Sequence, residues 1–382
     1  MTDKPLRLAL NATAMLSPLT GIGRYVKELS QALGQSGVQV NYYDVINGWA
    51  EQAPRTIARA SVAPLRFLHN LPGVRPIERK LQQRRFARGI PRIQAQLYHE
   101  PNYLAFRFNG PTVVSAHDAS WVRFPETHPA ERVRVMNRLF PESLERAQRI
   151  IVDSNFVARE MNTLFGVPLE RIRTVPLGVA SDFRPRSALE TLPVCKKLGL
   201  THGGYILAVG TLEPRKNLIS LVRAFRLLPL ELSRRYPLVI AGMGGWQHEE
   251  TDQEMALLER QGLLRILGQI EEDALPSLYA AAGLFVYPSI YEGFGLPPLE
   301  AMATGTPVIV SDRASLPEVV GEAGLCIDPQ DIDAMAEILR GVMEDPQRRM
   351  NMAAAGIQRS RLFTWQHCAR ETLAVYREAM TA

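Results

Sequence analysis

Cysteine and long apolar runs are both scarce in this chain of 382 residues. Three cysteines, Cys195, Cys326 and Cys368, lie far apart, and their number and spacing fit neither a disulfide framework nor a zinc site. We therefore expect a protein of the reducing cytoplasm. No uninterrupted apolar run approaches the ~20 residues that a membrane-spanning helix requires. Asn11 and Thr13 interrupt the apolar N-terminal stretch, which argues against a signal peptide.

Neither sign of charge dominates the chain. Lys and Arg number 44 against 39 Asp and Glu, and this modest excess favours an anionic partner such as a phosphorylated ligand or an acidic membrane. Zinc-finger spacings and RNP-type aromatic motifs are missing, so we expect no nucleic acid as a partner. The 46% of hydrophobic residues exclude a disordered protein, and the length predicts two or three domains of roughly 150 residues each.

Short apolar strands alternate with amphipathic helices along both halves of the chain. In the first half, strands are predicted over 6–10, 38–45, 96–100, 112–118 and 149–154, with a helix over 25–37. In the second half, strands are predicted over 205–210, 237–242, 264–269, 284–289 and 307–312, with helices over 217–228, 256–263, 274–282, 297–305 and 331–344. This alternation is typical of parallel sheets covered on both faces.

The stretch 175–193 loses this periodicity and gathers Pro, Ser and Asp, so we place the domain linker there. The predicted domains are 1–180 and 190–363, each with its own α/β sheet, and the last residues, 364–382, form a helix. Two such sheets in series leave a cleft between the domains. Ligands of open α/β sheets bind beyond the carboxyl ends of the strands, so the loops there are the first candidates for a site.

Two glycine-containing loops are candidates for binding phosphate. Residues 20–24 (TGIGR) lie directly before the first predicted helix, where amides and the helix dipole favour an anion, although a plain tight turn explains the spacing equally well. Residues 210–217 (GTLEPRKN) follow a buried strand, and Arg215 beside Lys216 suits a diphosphate, the alternative being an exposed basic turn. Arg215 stands where a Walker A loop needs its second glycine, which excludes a P-loop.

The strongest segment is 289–301 (SIYEGFGLPPLEA), in which a glycine-flanked loop after a strand enters a helix. Glu292 in the loop and Glu300, about two turns into the helix, are suited to grip different parts of one elongated ligand through its hydroxyls. The amides of 293–296 can face a phosphate or hydroxyls. Helix capping is the alternative for Glu292, and burial against a cation is the alternative for Glu300.

The runs at 210–217 and 289–312 resemble retaining nucleotide-sugar glycosyltransferases of family 4, which have the GT-B fold, with Glu292 and Glu300 as the E-x7-E element. The likeness extends to 20–29, 113–118, 152–156, 175–179 and 315–324, and so covers nearly the whole chain. It is greatest to bacterial mannosyltransferases and D-rhamnosyltransferases that build O-antigen from GDP-sugars. The resemblance implies two Rossmann-like domains facing across a cleft, with the C-terminal helix crossing back onto the first domain.

The resemblance also implies roles for individual residues. Four residues would act at the reacting centre: His117, Arg215, Lys216 and Glu292. Nine would bind the donor: Gly21, Gly23, Gly210, Gly268, Ile270, Phe294, Gly295, Leu296 and Glu300. In this scheme Arg215 and Lys216 neutralise the diphosphate, Glu292 contacts the sugar, and Glu300 holds the ribose. His117 would lie near the reacting sugar. Asp118, its neighbour in the sequence, is a candidate for orienting the imidazole, although a structural His–Asp pair is the alternative.

No cofactor or metal is expected. The D-x-D spelling of Asp331 and Asp333 follows Pro329 and opens a helix, where aspartate is a favoured cap. The resemblance implies transfer of D-mannose or D-rhamnose from a GDP-sugar to a lipid-linked glycan in O-antigen synthesis. A sugar-nucleotide epimerase and a non-catalytic sugar-nucleotide-binding protein are the alternatives.

A basic segment, 66–92, contains eight cationic residues and one acid. Its cations are Arg66, Arg75, Arg79, Lys80, Arg84, Arg85, Arg88 and Arg92, and Ile77, Leu81 and Phe86 are its candidate apolar anchors. We expect either an amphipathic surface for anionic lipid, which would place the protein at the inner face of the cytoplasmic membrane, or an ordinary solvated helix.

Overall fold

The computed structural model describes residues 5–16, 21–54, 74–242 and 249–382, with the backbone alone over 74–77 and 249–252. Contacts divide the chain into two compact units. The first contains Met1–Gly178 and Trp365–Ala382, and the second contains Val179–Thr364. In the described residues, each unit has one sheet with apolar side chains buried against it.

The sheet of the first unit has seven strands in the order β3-β2-β1-β4-β5-β6-β7. They are β1 (Arg7–Asn11), β2 (Gln39–Asp44), β3 (Gly48–Ala50), β4 (Leu97–Glu100), β5 (Thr112–Ala116), β6 (Arg149–Val152) and β7 (Ile172–Thr174). All neighbours pair in parallel except β2 and β3, which are antiparallel. The expectation of a purely parallel sheet is therefore wrong at this edge, because three residues of β3 were too few to show a strand pattern.

The helices described for the first unit are α1 (Gly21–Gln35), α2 (Val74–Ile93), α3 (Ser120–Arg123), α4 (Ala130–Arg146), α5 (Asn155–Phe165) and, at the end of the chain, α15 (Trp365–Thr381). The core beneath them is rich in aromatic rings, with Phe86 stacked on Phe106 at 5.2 Å between centroids. Helix α15 packs on α1, β5 and β6, and the Tyr376 hydroxyl lies 2.7 Å from Nδ1 of His99.

Helix α1 begins four residues before the predicted start at Tyr25. Ile22 is half-buried, and Val26, Leu29 and Leu33 are buried, so the apolar spacing of a helix extends back to Ile22. Two glycines at the start obscured this pattern. Gly21 and Gly23 therefore lie in the first turn of α1 and not in a loop that precedes it.

The sheet of the second unit is parallel throughout, in the order β10-β9-β8-β11-β12-β13. Its strands are β8 (Ile206–Val209), β9 (Leu238–Ala241), β10 (Leu264–Gly268), β11 (Leu284–Tyr287), β12 (Val308–Ser311) and β13 (Leu325–Ile327). Every residue of β9, β11 and β12 is buried, which requires cover on both faces of the sheet.

Nine helices are described for the second unit. They are α6 (Ala188–Leu198), α7 (Leu218–Arg226), α8 (Leu230–Arg235), α9 (Glu249–Arg260), α10 (Leu275–Ala280), α11 (Leu296–Ala303), α12 (Leu316–Val320), α13 (Ile332–Glu344) and α14 (Pro346–Ser360). Helix α6 begins inside the predicted linker, so the prediction of irregular structure over 188–193 is wrong. Ser187 and Glu190 form a capping box there, and Pro193 in the third position after Glu190 masked the signal.

Candidate functional site

Three predicted site residues meet at the carboxyl edge of the second unit's sheet. The Lys216 ammonium lies 2.6 Å from Oε1 of Glu292, and the Arg215 guanidinium lies 3.3 Å from Oε2 of the same carboxylate. All three side chains are only 12–14% exposed. An exposed basic turn is therefore not what the structure contains, and the alternative that we considered for Arg215 and Lys216 is wrong.

The contact follows from strand order. Strands β8 and β11 are neighbours, so the loop that follows each one lies beside the other. The backbone locks the two loops together, since the amide of Ile290 donates to the carbonyl of Arg215 at 3.0 Å. In return, the Arg215 side chain donates to the carbonyl of Tyr291 at 2.6 Å. These bonds hold the guanidinium in place before any ligand arrives.

Sequence reasoning missed three polar partners of this cluster. The Tyr287 hydroxyl accepts from the Lys216 ammonium at 2.7 Å and donates to Glu292 at 2.9 Å. Ser289 donates to Oε1 of Glu292 at 2.6 Å, and Glu213 accepts from Arg215 at 2.6 Å. Tyr287 is the last residue of β11, so its place at a carboxyl strand end was a usable signal.

The electrostatics of the cluster favour the ionised carboxylate. Burial opposes ionisation of Glu292, but the charges of Lys216 and Arg215 outweigh it and hold its pKa at about 2. Burial lowers the pKa of Lys216, and the attraction of Glu292 opposes this shift only in part. Burial also raises the pKa of Tyr287 well above its ordinary value, so the phenol stays protonated. The cluster is thus a buried carboxylate held by two cations and two hydroxyls.

Glu292 does not cap the helix that follows it. Helix α11 has Gly295 as its N-cap, without any side-chain cap, so the capping alternative for Glu292 is wrong. Gly295 has a φ of +127°, and a Cβ at this position would lie 2.9 Å from Leu316. Only glycine therefore allows the chain to turn here from the Glu292 loop into the helix.

The rest of the E-x7-E segment is largely buried. Phe294 is 6% exposed, Glu300 is 4% exposed, and Leu296 is half-buried at the start of α11. Glu300 is the fifth residue of α11, so it lies just over one turn into the helix and not two as expected. The burial of Glu300 accords with that part of its alternative.

The remaining predicted donor-binding residues of this unit lie at or just after the carboxyl ends of β8 and β10. Gly210 comes directly after β8, Gly268 ends β10, and the half-buried Ile270 lies two residues further on. The amide of Gly242 donates to the carbonyl of Gly268 at 2.8 Å. A Cβ on Gly242 would lie 1.8 Å from the carbonyl oxygen of Gly210, so glycine is required where these loops touch.

His117 lies at the carboxyl end of β5 in the first unit and is 8% exposed. Its Nδ1 lies 2.7 Å from a carboxylate oxygen of Asp153, which is next to β6, and its Nε2 donates to the carbonyl of Pro101 at 2.8 Å. The prediction that Asp118 orients the ring is wrong. Asp118 instead accepts from Tyr103 and Ser120.

This environment decides what His117 can do. Burial alone lowers its pKa, but the neighbouring Asp153 outweighs burial and the pKa is raised. Nδ1 faces the Asp153 carboxyl group and Nε2 faces the carbonyl oxygen of Pro101, so both ring nitrogens are engaged in hydrogen bonds within the protein. A histidine held in this way has no free ring nitrogen with which to act as a general base.

The capping interpretation of the D-x-D spelling is confirmed. The carboxylate of Asp331 accepts from the amide of Ala334 at 2.9 Å and forms the N-cap of α13. Within the described residues, no group of three His, Cys, Asp or Glu side chains could hold a metal ion.

The basic segment is a helix over the part that the structure describes. Lys80, Arg84, Arg85 and Arg88 are exposed on α2, and Leu81 is 58% exposed. Phe86 is fully buried, so its expected role as a lipid anchor is wrong, since it belongs to the core. Arg66 and the side chains of Arg75 and Ile77 lie outside the described residues. Among helices in the described ranges, none combines the length and apolar character that crossing a bilayer demands.

Two family models match the chain. The model for glycosyl transferases group 1 matches residues 196–359, and the model for Glycosyltransferase Family 4 matches residues 19–183. The O-antigen chain mannosyltransferase B of Escherichia coli is 41% identical over 94% of this chain and 96% of its own length.

Solved structures bear out the fold. Sucrose-phosphate synthase from Thermosynechococcus elongatus superposes with a TM-score of 0.74 at 23% identity, covering 98% of this chain and 99% of its own. WaaG, a glycosyltransferase involved in lipopolysaccharide biosynthesis, superposes with a TM-score of 0.70 at 17% identity, covering 96% of this chain and 98% of its own. The predicted GT-B fold with two Rossmann-like sheets is confirmed. The matches in sequence and fold agree, and the chain belongs to the family 4 glycosyltransferases.

Proposed function

We propose that this glycosyltransferase moves a mannose-type hexose, D-mannose or D-rhamnose, from a GDP-sugar to a lipid-linked glycan in O-antigen synthesis. The observation that carries the proposal is the buried pair of cations, Arg215 and Lys216, held on Glu292 at the carboxyl edge of a Rossmann-like sheet. The name of the 41% identical relative, a mannosyltransferase of O-antigen chains, supports the choice of sugar and pathway.

The cluster suits a diphosphate because its cations already face an anion. When a nucleoside diphosphate enters, its oxygens compete with Glu292 for the Lys216 ammonium and the Arg215 guanidinium. The carboxylate is then available to the sugar hydroxyls, while the cations face the bond that breaks. Preorganised donors of this kind stabilise the charge that develops on the leaving group, and loss of one costs about 10²–10³ in rate.

The same geometry favours transfer with retention by attack on the face that the diphosphate leaves. A double displacement needs a carboxylate that attacks the anomeric carbon, and in this proposal the carboxylate of Glu292 binds the sugar hydroxyls instead. Both ring nitrogens of His117 are engaged, one with Asp153 and one with the carbonyl of Pro101, so His117 supplies no base. The departing phosphate itself is then the group that accepts the proton of the acceptor hydroxyl.

We further propose that catalysis needs no metal, because Arg215 and Lys216 supply the positive charge that a divalent ion would otherwise bring. Full activity in EDTA is expected. Activity that disappears in EDTA and returns only with divalent ions would overturn this part of the proposal.

The donor and the reaction are tested together with a panel of GDP-mannose, GDP-D-rhamnose and UDP-glucose, each with a synthetic lipid-linked glycan. We expect transfer from a GDP-hexose and an α-linked product by NMR. An inverted anomeric bond would refute the same-face mechanism. Donor that isomerises without acceptor would indicate an epimerase, and donor that binds without turnover would indicate a non-catalytic binding protein.

We propose that the exposed face of α2 contacts anionic lipid at the cytoplasmic face of the membrane, near the lipid-linked acceptor. Its exposed Lys80, Arg84, Arg85 and Arg88 supply positive charge, and the exposed Leu81 offers one apolar side chain. Flotation with vesicles of phosphatidylglycerol and phosphatidylcholine should be lost on charge reversal at Arg84 and Arg88. Flotation that is unchanged by this reversal would exclude the contact.

A further inference from the structure

A second concave surface of the second unit lies at the edge of the sheet opposite Arg215 and Lys216. This pocket, of about 440 Å³, is lined by residues that directly precede three neighbouring strands, β8, β9 and β10. Gly203 and Gly204 lie before β8, Tyr236 lies before β9, and Arg265 is at the start of β10. Parallel strands begin at one edge and end at the other, so this pocket is separate from the candidate active site.

The pocket is strongly basic. Arg234, Arg235 and Arg265 line it together with His202, and no carboxylate lines it. In the part of the chain that the structure describes, none of these three arginines forms an ion pair. Elsewhere in this unit Arg223 and Arg226 share Glu254. A concave group of cations without counter-charges is thus a local feature of this edge.

One of the three guanidinium groups is already held in position, because Arg265 donates to the carbonyl of Gly199 at 2.6 Å. Arg234 and Arg235 are both exposed, and the Arg235 guanidinium lies 5.1 Å from the centroid of the Tyr236 ring. Positioned guanidinium forks lose little freedom when they bind, and their planar donors match the oxygens of a phosphate in pairs. The volume lies within the range of pockets that hold small molecules.

We infer that this pocket binds a phosphate-bearing ligand through Arg234, Arg235 and Arg265. The phosphate group is the shared chemistry of two sources, a soluble phosphorylated molecule and the headgroup of an anionic phospholipid. Because the pocket and the candidate active site lie at opposite edges of one sheet, the inference stands whether or not the proposed donor chemistry is correct.

The test is calorimetric titration with sodium pyrophosphate, carried out in a Lys216→Ala background so that the candidate active site is weakened. We expect saturable binding of one pyrophosphate per chain, reduced about tenfold or more by Arg234→Gln combined with Arg265→Gln. The matched control is Arg340→Gln combined with Arg348→Gln, which removes two exposed arginines outside the pocket and should leave binding unchanged.

Absence of saturable binding, or an equal loss in both double variants, would overturn the inference, because diffuse charge attraction would then suffice. Arg234→Gln alone serves if the double variant misfolds, since Arg234 makes no described contact, and it should weaken binding severalfold. Flotation with phosphatidylglycerol vesicles separates the two sources. Flotation that requires Arg234 and is displaced by pyrophosphate supports a lipid headgroup. Saturable pyrophosphate binding, with flotation that is the same in the wild type and in Arg234→Gln, supports a soluble ligand.

Discussion

Two lysine–glutamate ion pairs of the second unit have nearly equal lengths but very different burial, and they form a matched test of the site. The Lys216–Glu292 pair is 2.6 Å long with both side chains 12% exposed. The Lys197–Glu271 pair is 2.8 Å long with side chains 64% and 76% exposed. We predict that Lys216→Ala destabilises the fold and removes activity, while Lys197→Ala does neither.

The stability effect can be estimated from the pKa of Glu292. Its fall from an ordinary 4.5 to about 2 corresponds, at 1.36 kcal/mol per pH unit, to about 3 kcal/mol of stabilisation shared by Lys216, Arg215 and Ser289. Because Arg215, Ser289 and Tyr287 remain in Lys216→Ala, we expect a loss of about 2 kcal/mol. This is less than the 3–5 kcal/mol typical of a wholly unpaired buried charge. An exposed pair contributes little to stability, so Lys197→Ala should unfold like the wild type.

The pH dependence follows from the sign of the same shift. The folded pKa of Glu292 is depressed, so its contribution is fully present above about pH 4.5 and is lost as pH falls toward 2. The stability gap between wild type and Lys216→Ala should therefore narrow over this range. For the reaction, removal of one cation from the diphosphate should cost about 10²–10³ in kcat.

Urea unfolding at pH 7 and pH 3 gives the difference in free energy of unfolding between wild type and variant, and transfer of a radiolabelled donor sugar gives kcat for the wild type and both variants. Equal stability and equal kcat in Lys216→Ala and Lys197→Ala would refute the reasoning, because burial would then make no difference to two similar ion pairs.

Three further predictions address other residues. Tyr287→Phe removes a hydrogen-bond acceptor of the Lys216 ammonium and should lower the pKa of Lys216 further. The alkaline limb of the profile of kcat/KM against pH should therefore move to lower pH. An equal loss of kcat/KM at every pH would show a purely structural role for Tyr287. Burial raises the pKa of Glu100 to about 7. As pH rises from 4.5 to 7.5, the free energy of unfolding of the wild type should therefore fall by up to about 3 kcal/mol relative to that of Glu100→Gln. Urea unfolding at pH 5 and pH 8 tests this, and a difference that is the same at both pH values would contradict it. Asp331→Ala should lower the free energy of unfolding by about 1 kcal/mol, while Asp331→Asn should keep the helix cap and the stability. Both variants should have full activity in EDTA. An inactive Asp331→Asn would indicate that Asp331 is a metal ligand instead.

Much of the fold could be predicted because apolar strand runs are bounded by glycine, proline and polar residues. The run before Gly210 and the run before Ser289 both correspond to strands, β8 and β11, and this placed Arg215, Lys216 and Glu292 at one edge of a sheet. Periodicity cannot give the order of strands in a sheet. The contact of 2.6 Å between residues 76 positions apart depends on β8 and β11 being neighbours.

Non-local partners account for the errors. Asp118 is adjacent to His117 in sequence, but the strand beside β5 presents Asp153 to the imidazole instead. Phe86 looks like a surface anchor among its basic neighbours, whereas Tyr43, Tyr98 and Phe106 enclose it. In each case the deciding contact comes from another strand or helix, so it could not be predicted from the neighbouring residues in the sequence.

The most direct test of the central claim compares GDP with guanosine as ligands of the wild type and of Lys216→Ala by calorimetry. If the buried cations exist to hold a diphosphate, the variant should bind GDP about tenfold or more weakly, while its affinity for guanosine stays the same. Undiminished affinity for GDP in a folded Lys216→Ala protein would contradict the account.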